Sequence, residues 1–244
     1  MAYIHRFIPS DNANSGHGMN QSSDRMRVGV WDLEVNAGFL LEILNELNDC
    51  QSEFRFEMID GSVPRSITFG GESTLDWARK RLGPKVVGKE ESLRKNIVAG
   101  NVYVLGQEAI KDFGLDLVVL FTKWMIADVH DEKVIWNYFS VSERKCVIVS
   151  AADVREFAQK ANRRFEVALA SMMISQLVVE LHPDKVGFYR ECRGCMLDFN
   201  ETRVTLVDTF DRLEFEPERL ETIPEPTRSA AEKMTSVLRE TPRP

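Results

Sequence analysis

Histidine and cysteine, the residues that most often hold metals or attack substrates, are scarce: this 244-residue chain has four of each. Cysteines at 50, 146, 192 and 195 are too few and too scattered to staple a small secreted domain, so free thiols and a cytoplasmic protein are expected. No run of about eighteen apolar residues is present, and no membrane span is expected. Residues 1–26 carry Ser, Asn, Gly and Asp instead of the apolar centre of a secretory signal. Excess positive charge is missing too. A net charge of −7 and a pI near 5.3 argue against a general nucleic-acid or anionic-membrane surface. The chain also lacks a G-x-G-x-x-G fingerprint, a P-loop and a G-x-S-x-G elbow.

What remains is an ordinary globular composition, 43% apolar and 28% charged, long enough for one sizeable core. The sequence reads as a flexible arm at 1–26, one domain at 27–223 and a tail at 224–244 holding a loose helix at 229–239. Strands are expected at 26–31, at 54–59 (where apolar and polar residues alternate), at 101–105 and at 203–207. The apolar run 115–121 has the character of a central strand, and 135–141 with 145–150 that of a hairpin turning at 142–144. Helices fit 38–47 and 73–82, the latter capped by Ser73 or Thr74. The strongest periodicity predicts one long helix over 153–181, capped by Ser150 or Asp153 and ended by Pro183. Its second half is apolar on nearly every face and belongs in the core, with Lys160 and Arg163 on the solvent side of the first half.

Few residues carry obvious chemistry. Cys192-x-x-Cys195 has the spacing of half a tetrahedral zinc site, with Gly194 supplying backbone freedom. His182 is a third candidate ligand, and Asp184 or Asp198 a fourth; two thiolates favour a structural zinc over a catalytic one. The alternatives are reduced thiols without metal and a histidine that serves its helix C-terminus. Gly70-Gly71 before a helix is a simple turn or an anion cradle.

The order of elements from Asp116 to Phe210 resembles the archaemetzincin-like branch of zinc peptidases. The matching features are a strand from Asp116 to Thr122, a hairpin ending in Ser150, the long helix, and then Cys192-x-x-Cys195-Met196. The resemblance implies an α/β, zincin-like fold: a mixed sheet packed on a long buried central helix. It also implies H-E-x-x-H on that helix, and the chain departs from it there. Residues 172–182 hold one histidine, His182, and the position four residues earlier is Val178. An apolar helix face cannot hold or activate a zinc-bound water.

The expected function is therefore a non-catalytic, degenerate-peptidase interaction or regulatory module with a protein or peptide partner, bound along a sheet edge. Two other classes stay open. One is a metal-dependent hydrolase with an atypical site at His182, Cys192 and Cys195; the other is a sensor whose small ligand lies over Gly70-Gly71.

Overall fold

The computed structural model describes residues 4–6, 25–130, 132–202 and 204–244, with 4–6 as backbone only. Along the chain run β1 (Ile4–Arg6), β2 (Met26–Leu33), α1 (Leu40–Cys50), β3 (Phe54–Gly61), α2 (Arg65–Thr68), α3 (Gly70–Leu82) and α4 (Glu90–Leu93). Next come β4 (Asn96–Val98), α5 (Ala99–Phe113), β5 (Leu117–Thr122), β6 (Met125–His130), β7 (Lys133–Tyr138), β8 (Ser140–Glu143) and β9 (Cys146–Ser150). Five helices close the chain: α6 (Val154–Lys160), α7 (Phe165–Leu181), α8 (Thr205–Arg212), α9 (Pro217–Leu220) and α10 (Thr227–Glu240). Apart from β1, the expected arm lies outside the described residues up to Asp24.

The main sheet has the strand order β1-β3-β2-β5-β9-β8. Its four middle strands are parallel, and β1 and β8 close the edges antiparallel. The sheet is therefore mixed, and β5 is as central as its apolar run predicts: every residue from Leu117 to Thr122 is buried. Side-chain alternation makes it two-faced. Val28, Val30, Leu117, Val119, Phe121, Val147 and Val149 join one core with α1, α6, α7, α8 and α10. Trp31, Leu33, Val118, Leu120, Cys146 and Ile148 join the other, beneath α5. A smaller sheet, β4-β6-β7, stands beside it.

The expected 153–181 helix is two helices. Asn162 takes the left-handed conformation (φ 52°), its N–H bonds to the Gln159 carbonyl, and the Arg163 N–H reaches back to Ala158. This is a Schellman stop, which Asn tolerates because its short polar side chain relieves the left-handed penalty. Apolar periodicity runs through the break because α6 and α7 pack on the same core. Arg163, expected in solvent, is 7% exposed. The buried half is as expected: α7 has no exposed residue from Phe165 to Val178. Neither expected cap acts as one, since Asp153 has φ 62° and makes no capping bond.

Two five-residue strand expectations become helix because so short a stretch cannot distinguish a period of 2 from one of 3.6. Residues 101–105 lie in α5, where Ala99, Val102, Leu105 and Ala109 face the core and Val104 is left 61% exposed. Residues 205–207 of the other begin α8, which buries Leu206, Thr209 and Phe210. The expected hairpin keeps only its second half: β7 pairs with β6, and β8 turns through Arg144 and Lys145, both at positive φ, into β9. Ser73 and Thr74 lie inside α3 and bond back to the Gly70 carbonyl. Residues 224–244, expected as a tail, hold α10, which buries Ala230, Ala231, Met234 and Leu238 in the same core as α1 and α7.

Candidate functional site

Strand β8 is the outer strand of the main sheet. Its antiparallel phase is set by the bond from the Ser150 N–H to the Phe139 carbonyl. In an antiparallel ladder alternate residues exchange both bonds with their partner. The backbone groups of Val141 and Glu143 therefore face β9, and those of Ser140 and Ser142 point away from it, to an edge that no other strand among the described residues covers.

Beneath this edge lies α7, buried on every face and yet carrying Ser171, Ser175 and Gln176 in its interior. The two serines answer their own helix, donating to the Ala168 and Ser171 carbonyls. Gln176 does not. It is 4% exposed; its Nε2 donates to Ser142 Oγ on β8 at 2.8 Å, and its Oε1 is buried without a partner among the described residues. Whichever way the amide is turned, Ser142 answers one polar atom and leaves the other bare. Phe199 meets Tyr138, just before β8, edge-on at 6.0 Å, and the neighbouring Asn200 Oδ1 is the second such orphan among the described residues.

The cysteine loop between α7 and α8 is built on Asp198. One carboxylate oxygen accepts the N–H groups of Arg193 (2.7 Å) and Cys195 (2.9 Å), which curls the Cys192–Cys195 turn around it. Gly194 sits in that turn at φ 80°. The other oxygen pairs with Arg219, a buried contact in which the guanidinium also meets Glu216 Oε2 (3.0 Å), the Glu191 carbonyl (3.0 Å) and the face of Tyr189 (4.3 Å). Burial works against the Arg219 charge, but hydrogen bonds to Asp198 and Cys195 outweigh it and hold its pKa above the ordinary value.

Of the expected ligands, Cys192 is exposed and donates to the Phe199 carbonyl at 3.4 Å, whereas Cys195 is fully buried. Its sulfur accepts the N–H groups of Leu197 (3.4 Å) and Glu216 (3.3 Å). The Nε2 of His182 lies 3.0 Å from Thr227 Oγ1 on α10, and burial and Lys185 lower its pKa. Asp184 is exposed, and Asp198 is committed to the loop and Arg219. Among the described residues no group of three His, Cys, Asp or Glu is placed to hold a metal. These side chains do not fit a common zinc centre as they stand.

The Gly70-Gly71 cradle is closed as well. A Cβ on Gly71 would stand 2.1 Å from the Arg94 carbonyl oxygen, and one on Gly70 would touch Ile97, so these glycines serve close packing. Gln176, Ser142 and Arg219 went unnoticed in the sequence. A lone Gln in an apolar helix was the available signal for the first; nothing in the charged run around Arg219 marks it as buried.

No protein-family model matches the chain, and no curated protein matches it. A solved zinc-dependent peptidase from Methanocorpusculum labreanum (strain Z) is similar in structure at a TM-score of 0.44 and 13% identity, over 81% of this chain and 100% of that one. A likeness this coarse bears on neither the site nor its chemistry. No helix among the described residues is long and apolar enough to cross a membrane.

Proposed function

We propose that the protein is a non-catalytic binding module that takes an extended peptide as an added strand along β8. The carrying observation is Gln176, which leaves a buried acceptor unanswered directly beneath an open strand edge. Such an atom costs about 1–3 kcal/mol until a donor reaches it, and a peptide N–H is the donor an added strand provides. The backbone groups of Ser140 and Ser142 supply the pairing, as in other edge-strand recognition.

Hydrolysis has no comparable support, because α7 from Phe165 to Leu181 contains no histidine. Zinc at His182, Cys192 and Cys195 is not part of this reading, since their side chains are turned to separate partners.

The test is selection of short peptides from a random displayed library, followed by titration against wild type and Ser140→Pro. Proline at 140 removes an edge-facing N–H and no bond to β9, so folding is retained while affinity falls at least about tenfold. Equal affinity for both proteins, or zinc-dependent cleavage of the selected peptides, would overturn the proposal.

A further inference from the structure

We infer that Cys192 and Cys195 form a reversible dithiol–disulfide pair, in which exposed Cys192 meets a hydroperoxide and buried Cys195 resolves the product. The inference is independent of the peptide reading, because it rests on the cysteine loop alone.

Exposure sets the order of events. Cys192 is open to solvent, and Cys195 is fully buried, so only the first can meet a small oxidant directly. Geometry sets the partner. Asp198 draws the amides of Arg193 and Cys195 onto one oxygen, and Gly194 at φ 80° lets the chain close; the two cysteines therefore flank a tight turn. Hydrogen bonds place the second sulfur: two N–H donors, from Leu197 and Glu216, converge on Cys195 and hold it inside the loop. The remaining thiols lack this setting. Cys146 is fully buried in β9 among apolar neighbours, and Cys50 donates to its own helix at the Leu47 carbonyl.

The steps balance. The Cys192 sulfur attacks the peroxide oxygen, the O–O bond breaks, the thiol proton passes to the departing alkoxide, and a sulfenic acid and an alcohol result. The Cys195 sulfur then attacks the Cys192 sulfur; the S–O bond breaks, hydroxide takes the second thiol proton, and water leaves. Two thiols are oxidised by two electrons and one hydroperoxide is reduced. An external dithiol reverses the change by exchange. Turning Cys195 towards Cys192 also takes its sulfur off the Glu216 amide, so oxidation loosens the approach to α9.

The experiment treats the folded 244-residue chain with stoichiometric hydrogen peroxide, then alkylates and maps all four cysteines by mass spectrometry. The expected product is an intrachain Cys192–Cys195 disulfide, with Cys50 and Cys146 still reduced and the Glu216 amide exchanging faster than in reduced protein. Cys195→Ser is expected to stop at a sulfenic acid on Cys192 that dimedone traps, and Cys192→Ser to leave Cys195 unmodified. The inference fails if wild type itself accumulates dimedone-trapped Cys192, or if disulfides form between chains. It also fails if one equivalent of zinc ion binds the reduced chain and shields both thiols from alkylation, since that makes them metal ligands. Should Cys195→Ser not fold, the wild-type map and exchange data decide alone.

Discussion

Arg163 Nη2 donates to the Asp211 carbonyl at 2.7 Å, tying the break between α6 and α7 to the end of α8. The same side chain reaches the Phe210 carbonyl and, at the end of α10, the Arg239 carbonyl, both at 3.2 Å. A buried guanidinium here answers the last carbonyls of two helices, which their own N–H groups cannot. Arg163→Ala is therefore expected to cost about 2–4 kcal/mol. Lys160→Ala, three residues away and exposed on α6, is expected to leave the urea midpoint unchanged. Equal midpoints for the two variants would refute the capping role.

Asp198 is expected to govern access to Cys195. An amide here keeps one acceptor oxygen and loses the other, so either the two turn amides or Arg219, whose side chain is 8% exposed, gives up its Asp198 bond and Arg219 is left with Glu216 as its carboxylate partner. Asp198→Asn should lower stability by about 3 kcal/mol, while Glu214→Gln, at an exposed pair with Arg239, should be near neutral. Native-state alkylation provides the check: Cys195 becomes reactive in Asp198→Asn and stays protected in Glu214→Gln. Continued protection in both would sink the idea.

Acid should destabilise the protein partly through His182. Its pKa is lowered in the fold by burial and then by Lys185, from an ordinary value of 6.5. The unfolded chain therefore takes up this proton first, so the contribution is present above about pH 6.5 and is lost as pH falls towards the lowered folded value. The fall in unfolding free energy below about pH 6.5 is expected to be shallower in His182→Asn than in wild type. Parallel pH profiles would remove His182 from the account.

Gln176 sets stability against binding. Gln176→Met fills the same volume without an unanswered acceptor, so the melting temperature is expected to hold or rise. Affinity for the selected peptides is expected to drop. A variant that melts lower and binds equally well would show that the amide serves packing.

Much of this architecture was open to reading in one dimension. The run 115–121 has the character of a central strand, because a strand buried on both faces needs apolar residues throughout, and β5 over Leu117–Thr122 is one. The apolar surround of residues 168–179 likewise required burial, and α7 has it. The absence of a second histidine one turn before His182 is a statement about composition and needed no coordinates. Those features depend on the residue types themselves. What the fold alone decided depends on which distant segments meet. Asn162 stops a helix whose periodicity runs on, because both halves rest on one core. Arg163 and Arg219 look like surface charges in sequence, and both are buried because carbonyls and a carboxylate 21 to 76 positions away gather around them. Cys192 and Cys195 read as a metal pair by spacing, yet Asp198, Leu197 and Glu216 turn them into an exposed thiol and a buried one. Spacing along a chain limits which side chains can meet, but the direction each one points is set by hydrogen bonds that only packing brings within reach.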